Sequence, residues 1–179
     1  MSRKFSKFWK QISTFSTMDV PSLPKGINAE FREYQTRGFG WLWFMYQYGL
    51  NGILADDMGL GKTLQALALI PKEKNKKAPN LVICPTSVVF NWENEIEKFA
   101  PGLSCLKLSG TERKELFKEI PKYDVVITSY ALVRRDIAKL KKHEFRYVIL
   151  DESQNIKNAE SMTAQSVKQL NCKHKLALS

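Results

Sequence analysis

The sequence predicts an α/β fold, a mainly parallel sheet with helices on both faces. Two observations carry that reading. Short apolar runs of the buried-strand type recur along the chain, each followed by a helical pattern of about ten to fifteen residues. At two of these junctions, after Ile53 and after Leu150, the residues are those that handle a nucleotide rather than those that merely turn a chain.

The first junction is Asn51–Thr63, NGILADDMGLGKT. It reads as a strand, a glycine-bearing turn and the first turn of a helix, LQALALI, ended by Pro71. Gly59 and Gly61 let backbone N–H groups curl around phosphate oxygens, and the helix N-terminus adds further donors. Lys62 is placed to reach the β- and γ-phosphates, and the Thr63 hydroxyl to face Mg²⁺. Asp56 stands where the general pattern G-x-x-x-x-G-K-[ST] has glycine. A tight strand–helix turn is the plainer alternative for this stretch alone.

The second junction is YVILDES. Tyr147–Leu150 forms a buried strand that delivers Asp151 and Glu152 at its C-terminal end, the edge where open α/β sheets bind ligands. Asp151 is expected to hold magnesium through its water shell, and Glu152 to polarise the hydrolytic water. Acids after a strand also cap helices. Paired with the glycine loop, they make a site for a nucleoside triphosphate with Mg²⁺ the expected chemistry, and the resemblance below implies ATP.

In chain order, residues 1–20 place Phe5, Phe8, Ile12 and Phe15 at 3-4-3 spacing, with Arg3, Lys4, Lys7 and Lys10 between them. This is an amphipathic helix with a basic outer face, read as a brace rather than a membrane or nucleic-acid helix. PSLPKG, residues 21–26, is a linker, so residues 1–27 stand apart from a domain of residues 28–179.

Ala29–Tyr48 is an aromatic-rich helix in which Tyr34, Trp41, Leu42 and Met45 share a face and Gly38 and Gly40 permit close packing. KEKNKK, residues 72–77, is a solvated connection. Leu81–Cys84 is a strand, followed by a helix capped by Thr86 or Ser87 that buries Val89, Trp92, Ile96 and Phe99. Ser104–Leu108 is a weaker strand, and Ser109 with Glu112 spells a capping box for a helix carrying Leu116 and Phe117. Val125–Thr128 and Phe145–Leu150 are strands with a helix from Ser129 to Leu140 between them, and a last strand begins at Leu176.

Composition narrows the class. A chain of 179 residues with 44% apolar content fills one domain core. Its 28 basic and 18 acidic residues leave a net charge of +10, which favours a polyanionic partner, nucleic acid before membrane. Cys84, Cys105 and Cys172, with His143 and His174, have no zinc-ligand spacing and read as core residues of a reducing compartment. No apolar run approaches the roughly 18 residues of a membrane span, and no secretion signal is visible.

The strings FREYQTRGFGWL, ADDMGLGKTLQ, LVICPTSVVFNWENEIEKF, YDVVITSY and DESQNIKN occur in that order. Together they resemble the successive motifs of Swi/Snf-type DNA-dependent ATPases of helicase superfamily two, over about Asn28 to Ser179. Asp56 fits that branch, which commonly has D-x-M-G-L-G-K-T. DESQ stands where many relatives have DEAH and resembles bacterial members.

The resemblance implies a RecA-like P-loop NTPase lobe in which the strand at Leu176 lies between those of Ile53 and Val148. It implies that Asp57, Met58, Gly59, Leu60, Gly61, Lys62, Thr63 and Leu64 wrap the nucleotide and that Gln35 recognises adenine. Pro85, Thr86, Thr128, Ser129 and Tyr130 match motifs that line the nucleic-acid backbone; helix capping is an equally good account of the hydroxyls. Arg134 and Arg135 are candidate flanking phosphate contacts, with a solvated face the plainer reading.

Relatives continue past LALS into S-G-T-P and a second lobe whose arginines face the nucleotide, so this chain reads as the first lobe. The implied partners are double-stranded DNA, proteins bound to it and the second lobe. The compartment is the cytoplasm of a bacterium, at the nucleoid, or the nucleus of a eukaryote. A strand-separating helicase, a restriction-enzyme motor, a P-loop kinase lacking a visible lid and a non-enzymatic docking module are the alternatives.

Overall fold

The computed structural model describes residues 20–57, 59–72 and 78–179, with only the backbone of Lys72. The basic N-terminal helix expected over residues 1–20, Met58 and most of KEKNKK fall outside the described residues.

Six strands form one sheet: β1 (Gly52–Leu54), β2 (Asn80–Cys84), β3 (Cys105–Lys107), β4 (Val125–Ser129), β5 (Glu144–Leu150) and β6 (Asn171–Leu178). Their order is β1-β6-β5-β2-β4-β3, and every neighbouring pair is parallel. β6 lies between β1 and β5, the place expected of the strand at Leu176. It starts at Asn171, earlier than the apolar pattern indicates, because Lys173 and Lys175 interrupt the run while the backbone still pairs with β5.

Alternation along the strands divides the core into two layers. Val82, Ile127, Tyr147 and Ile149 join one cluster, while their neighbours Leu81, Val126, Val148 and Leu150 join the other. Helices α1 (Glu33–Gln47), α2 (Lys62–Lys72) and α3 (Val89–Phe99) contribute Phe39, Leu67, Trp92 and Ile96 to the first layer. The second layer takes Val133 and Leu140 from α5 (Tyr130–Leu140) and Val167 from α6 (Met162–Lys168). Because β2 and β4 are buried along their whole length, they read as continuous apolar runs.

Several elements differ from expectation, each for a local reason. α1 starts at Glu33, and its buried line is Gln35, Phe39 and Leu42, with Phe44 beside it; Tyr34 is exposed. The close packing expected of Gly38 is present, since a Cβ there would lie 1.9 Å from Gln65 Oε1. α2 runs through Pro71 and stops one residue later, at Lys72, the proline leaving the carbonyl four residues before it without its helical donor.

Before α3, Thr86–Val88 forms a 3₁₀ turn without a side-chain cap, and Phe99 is half-buried. The Ser109–Glu112 capping box is not made. Instead α4 is one turn, Arg113–Leu116, followed by a 3₁₀ segment, Phe117–Lys122. Arg113 organises this corner, pairing with Asp136 at 2.6 Å and donating to the Gly110 carbonyl at 2.6 Å. α6 is too short to show a sequence period; Ser161 caps it by accepting from the Ala164 N–H at 3.2 Å.

Candidate nucleotide site

The two junctions meet at the carboxyl edge of the sheet. The loop after β1 and the end of β5 face α3 across a cavity of about 340 Å³. Gly59, Gly61, Lys62, Thr63, Asp151 and Glu152 all line it.

The loop's shape depends on its glycines. Gly59 and Gly61 hold φ of +84° and +76°, left-handed values that L side chains resist. Gly61 also lies under Gln35, whose Nε2 would be 2.5 Å from an added Cβ. Lys62 opens α2 and folds back over the turn, where Nζ donates to the carbonyls of Asp56 at 2.6 Å and Asp57 at 3.2 Å. A phosphate bound here would compete for the same ammonium donors. Leu64 turns into the core, while Asp57 is exposed.

Gln35 is a buried tie rather than a solvated helix residue. Its Nε2 donates to the Leu60 carbonyl at 3.2 Å, and its Oε1 accepts from the Arg32 N–H at 3.0 Å. The amide therefore joins the start of α1 to the glycine loop. Each amide atom keeps hydrogen-bonding capacity beyond those contacts.

Asp151 is 8% exposed. Its Oδ2 accepts from Trp92 Nε1 at 2.8 Å, its Oδ1 from the Glu152 N–H at 3.0 Å, and its carbonyl from the Tyr130 hydroxyl at 2.8 Å. Burial holds its carboxyl above the usual range, opposed by the Trp92 and Glu152 hydrogen bonds. Glu152 adopts φ 49° and ψ 54°, a left-handed backbone outside glycine, and its carbonyl accepts from Asn155 Nδ2 at 2.8 Å. Gln154 Nε2 donates to its carboxylate.

Two contributors were not singled out as functional from the sequence. Trp92 reads as core, and it is core, but its indole N–H reaches Asp151. Glu95, one turn on, lines the cavity beside Thr63. Burial raises its carboxyl above the usual range, and the nearby Thr63 opposes that shift. The available signal was an acid set between Trp92 and Ile96 on a face that is otherwise apolar.

The nucleic-acid residues divide. Thr86 is exposed and Pro85 half-buried at the end of β2. Thr128, Ser129 and Tyr130 are buried, and their hydroxyls are committed inward: Thr128 Oγ1 to the Leu108 carbonyl at 3.2 Å, Ser129 Oγ to the Leu132 N–H, Tyr130 to Asp151. Capping and anchoring account for all three side chains.

The donor set suits a hard cation. Thr63 and Asp151 offer oxygen from opposite sides of one cavity, and among the described residues no three His, Cys, Asp or Glu side chains converge as a cage. Magnesium is commonly held in this way, by one or two protein oxygens with phosphate and water completing the shell.

Residues 34–179 match the family profile of the SNF2-related domain. The chain belongs to the SNF2 family. It is 40% identical over 172 residues to the TATA-binding protein-associated factor MOT1 of Saccharomyces cerevisiae, covering 87% of this chain and 9% of that protein. It is 44% identical over 169 residues to helicase swr1 of Schizosaccharomyces pombe, covering 90% and 13%.

Among solved structures it resembles the Sulfolobus solfataricus SWI2/SNF2 ATPase core in complex with dsDNA, with TM-score 0.83 and 42% identity, covering 90% of this chain and 34% of that one. The same core domain solved separately gives TM-score 0.77 and 41% identity. The chain thus spans about a tenth of these curated relatives and a third of the solved cores. These relatives are fungal and archaeal, so they do not support the likeness to bacterial members. Among the described residues no helix is long and apolar enough to cross a membrane.

Proposed function

We propose that residues 28–179 form the first RecA-like lobe of a DNA-dependent ATPase that moves along double-stranded DNA and remodels protein–DNA complexes. The observation that carries this reading is the convergence of Lys62, Thr63, Asp151 and Glu152 on one cavity in an SNF2-family chain.

The loop N–H groups and Lys62 bind the phosphates of ATP, and Lys62 leaves the Asp56 and Asp57 carbonyls to do so. Thr63 and Asp151 face Mg²⁺, which when bound neutralises charge developing on the phosphates. Glu152, aimed by its left-handed backbone, orients the attacking water. Gln35 meets adenine with its remaining amide capacity, and the exposed Thr86 end of β2 faces the DNA backbone. The +10 net charge favours that polyanion. The compartment is wherever chromosomal DNA lies, the nucleus in a eukaryote.

A second lobe supplies an arginine across the cleft, a contribution typically worth about 10³–10⁵ in rate. Residues 1–179 alone are therefore expected to bind ATP weakly and turn it over negligibly, whereas the full-length protein is active. Phosphate release by the purified fragment and by the full-length protein, each with and without duplex DNA, tests this. DNA-stimulated turnover by the fragment overturns it. A strand-displacement assay on the full-length protein separates translocation from unwinding.

A further inference from the structure

Trp92 is 1% exposed, and the indole N–H is the only polar group its side chain carries. That N–H donates to Asp151 Oδ2 at 2.8 Å, and both residues line the cavity. A donor so deeply buried needs an acceptor, and a buried carboxylate needs donors, so each group satisfies the other.

The main chain at Asp151 is fixed independently. Its N–H donates to the Ile83 carbonyl of β2 at 2.8 Å, and its carbonyl accepts from the Tyr130 hydroxyl at 2.8 Å. The remaining freedom is rotation of the carboxylate. The Glu152 N–H holds Oδ1 at 3.0 Å, but it belongs to the next residue and moves with the same turn. The indole comes from a separate element. Val89 and Ile96 seat α3 in the same core layer as Trp92, and a ring packed there has little room to follow a carboxylate that turns. After these two contacts each carboxylate oxygen keeps a second lone pair, so the grip leaves acceptor capacity for the water shell of a metal.

We infer that Trp92 is a positioning residue whose indole N–H, presented by α3, fixes the rotation of the Asp151 carboxylate toward magnesium. It acts through Asp151. The inference rests on the nucleotide reading of the cavity.

The test is binding of a fluorescent ATP analogue to the full-length protein, titrated with free Mg²⁺ and repeated in EDTA. Two replacements remove the donor: Trp92→Phe, and benzothienylalanine placed at position 92, which keeps the indole shape with sulfur in place of N–H. Both should raise the Mg²⁺ half-saturation by roughly tenfold or more. Affinity in EDTA should stay unchanged. Ile96→Ala, which loosens the same helix face without touching the tie to Asp151, should leave the half-saturation where it is. In an Asp151→Asn background the position-92 isostere should add no further shift.

An unchanged half-saturation with the isostere overturns the inference, even if Trp92→Phe moves it, because volume would then be the cause. So does an equal loss in EDTA, an equal shift in Ile96→Ala, or an isostere effect that persists in Asp151→Asn. If Trp92→Phe does not fold, the isostere decides. A wild-type protein whose nucleotide binding ignores Mg²⁺ sinks the nucleotide reading itself, and the inference with it.

Discussion

Gly61 carries two constraints at once. Its φ of +76° disfavours any side chain, and Gln35 leaves no room for one. Gly61→Ala is expected to cost about 1–2 kcal/mol from the backbone alone. It should also weaken nucleotide binding, because relief comes only by moving the loop or breaking the tie from Gln35 to Leu60. Thermal melting and nucleotide titration check both effects. Individual residues were readable where chemistry dictates type: the glycines, Lys62 and the Asp151–Glu152 pair. Gln35 and Thr128 were not, because a single polar side chain in a sequence does not say which carbonyl it will meet.

His143 gives the pH dependence at this scale. Burial lowers its pKa from 6.5, so the folded state resists the proton that the unfolded chain accepts. Below about 6.5 that difference favours unfolding, and above it the group has no effect on stability. The melting temperature of His143→Gln relative to wild type should therefore rise as pH falls from about 7 to about 5.5. A difference that stays flat or falls contradicts the assignment.

Among elements, strands were more legible than helices. β2, β4 and β5 are central, buried on both faces and nearly all apolar, so composition alone marks them. β6 hides behind Lys173 and Lys175, and α6 is too short to show a helical period. The capping box before α4 failed because Arg113 takes over that corner through Asp136 and Gly110.

The contact between α1 and α2 offers an element-scale test. Gln65 is fully buried, and its Oε1 occupies the space a Cβ at Gly38 would need, so Gly38→Ala must shift one helix or rotate that amide. A loss of about 1–3 kcal/mol is expected in denaturant melts. A neutral result would show that the Gln65 amide turns aside or the helices part at little cost.

At the scale of the whole molecule, parallel order brings the ends of β1, β2, β4 and β5 to one edge. Residues nearly a hundred positions apart thereby share one cavity. The sequence implied this because a glycine loop and an acidic strand end have few other reasons to occur together. It did not reveal α3's part, since Trp92 and Glu95 look like a core residue and a surface acid until the fold sets Trp92 against Asp151 and puts Glu95 on the cavity wall.

If this cavity powers DNA-dependent ATP hydrolysis, steady-state ATPase of the full-length protein with and without duplex DNA, wild type beside Lys62→Ala, measures it directly. DNA should raise the wild-type rate, and Lys62→Ala should abolish turnover in both conditions. DNA-stimulated hydrolysis surviving in Lys62→Ala, or a wild-type rate indifferent to DNA, would contradict it.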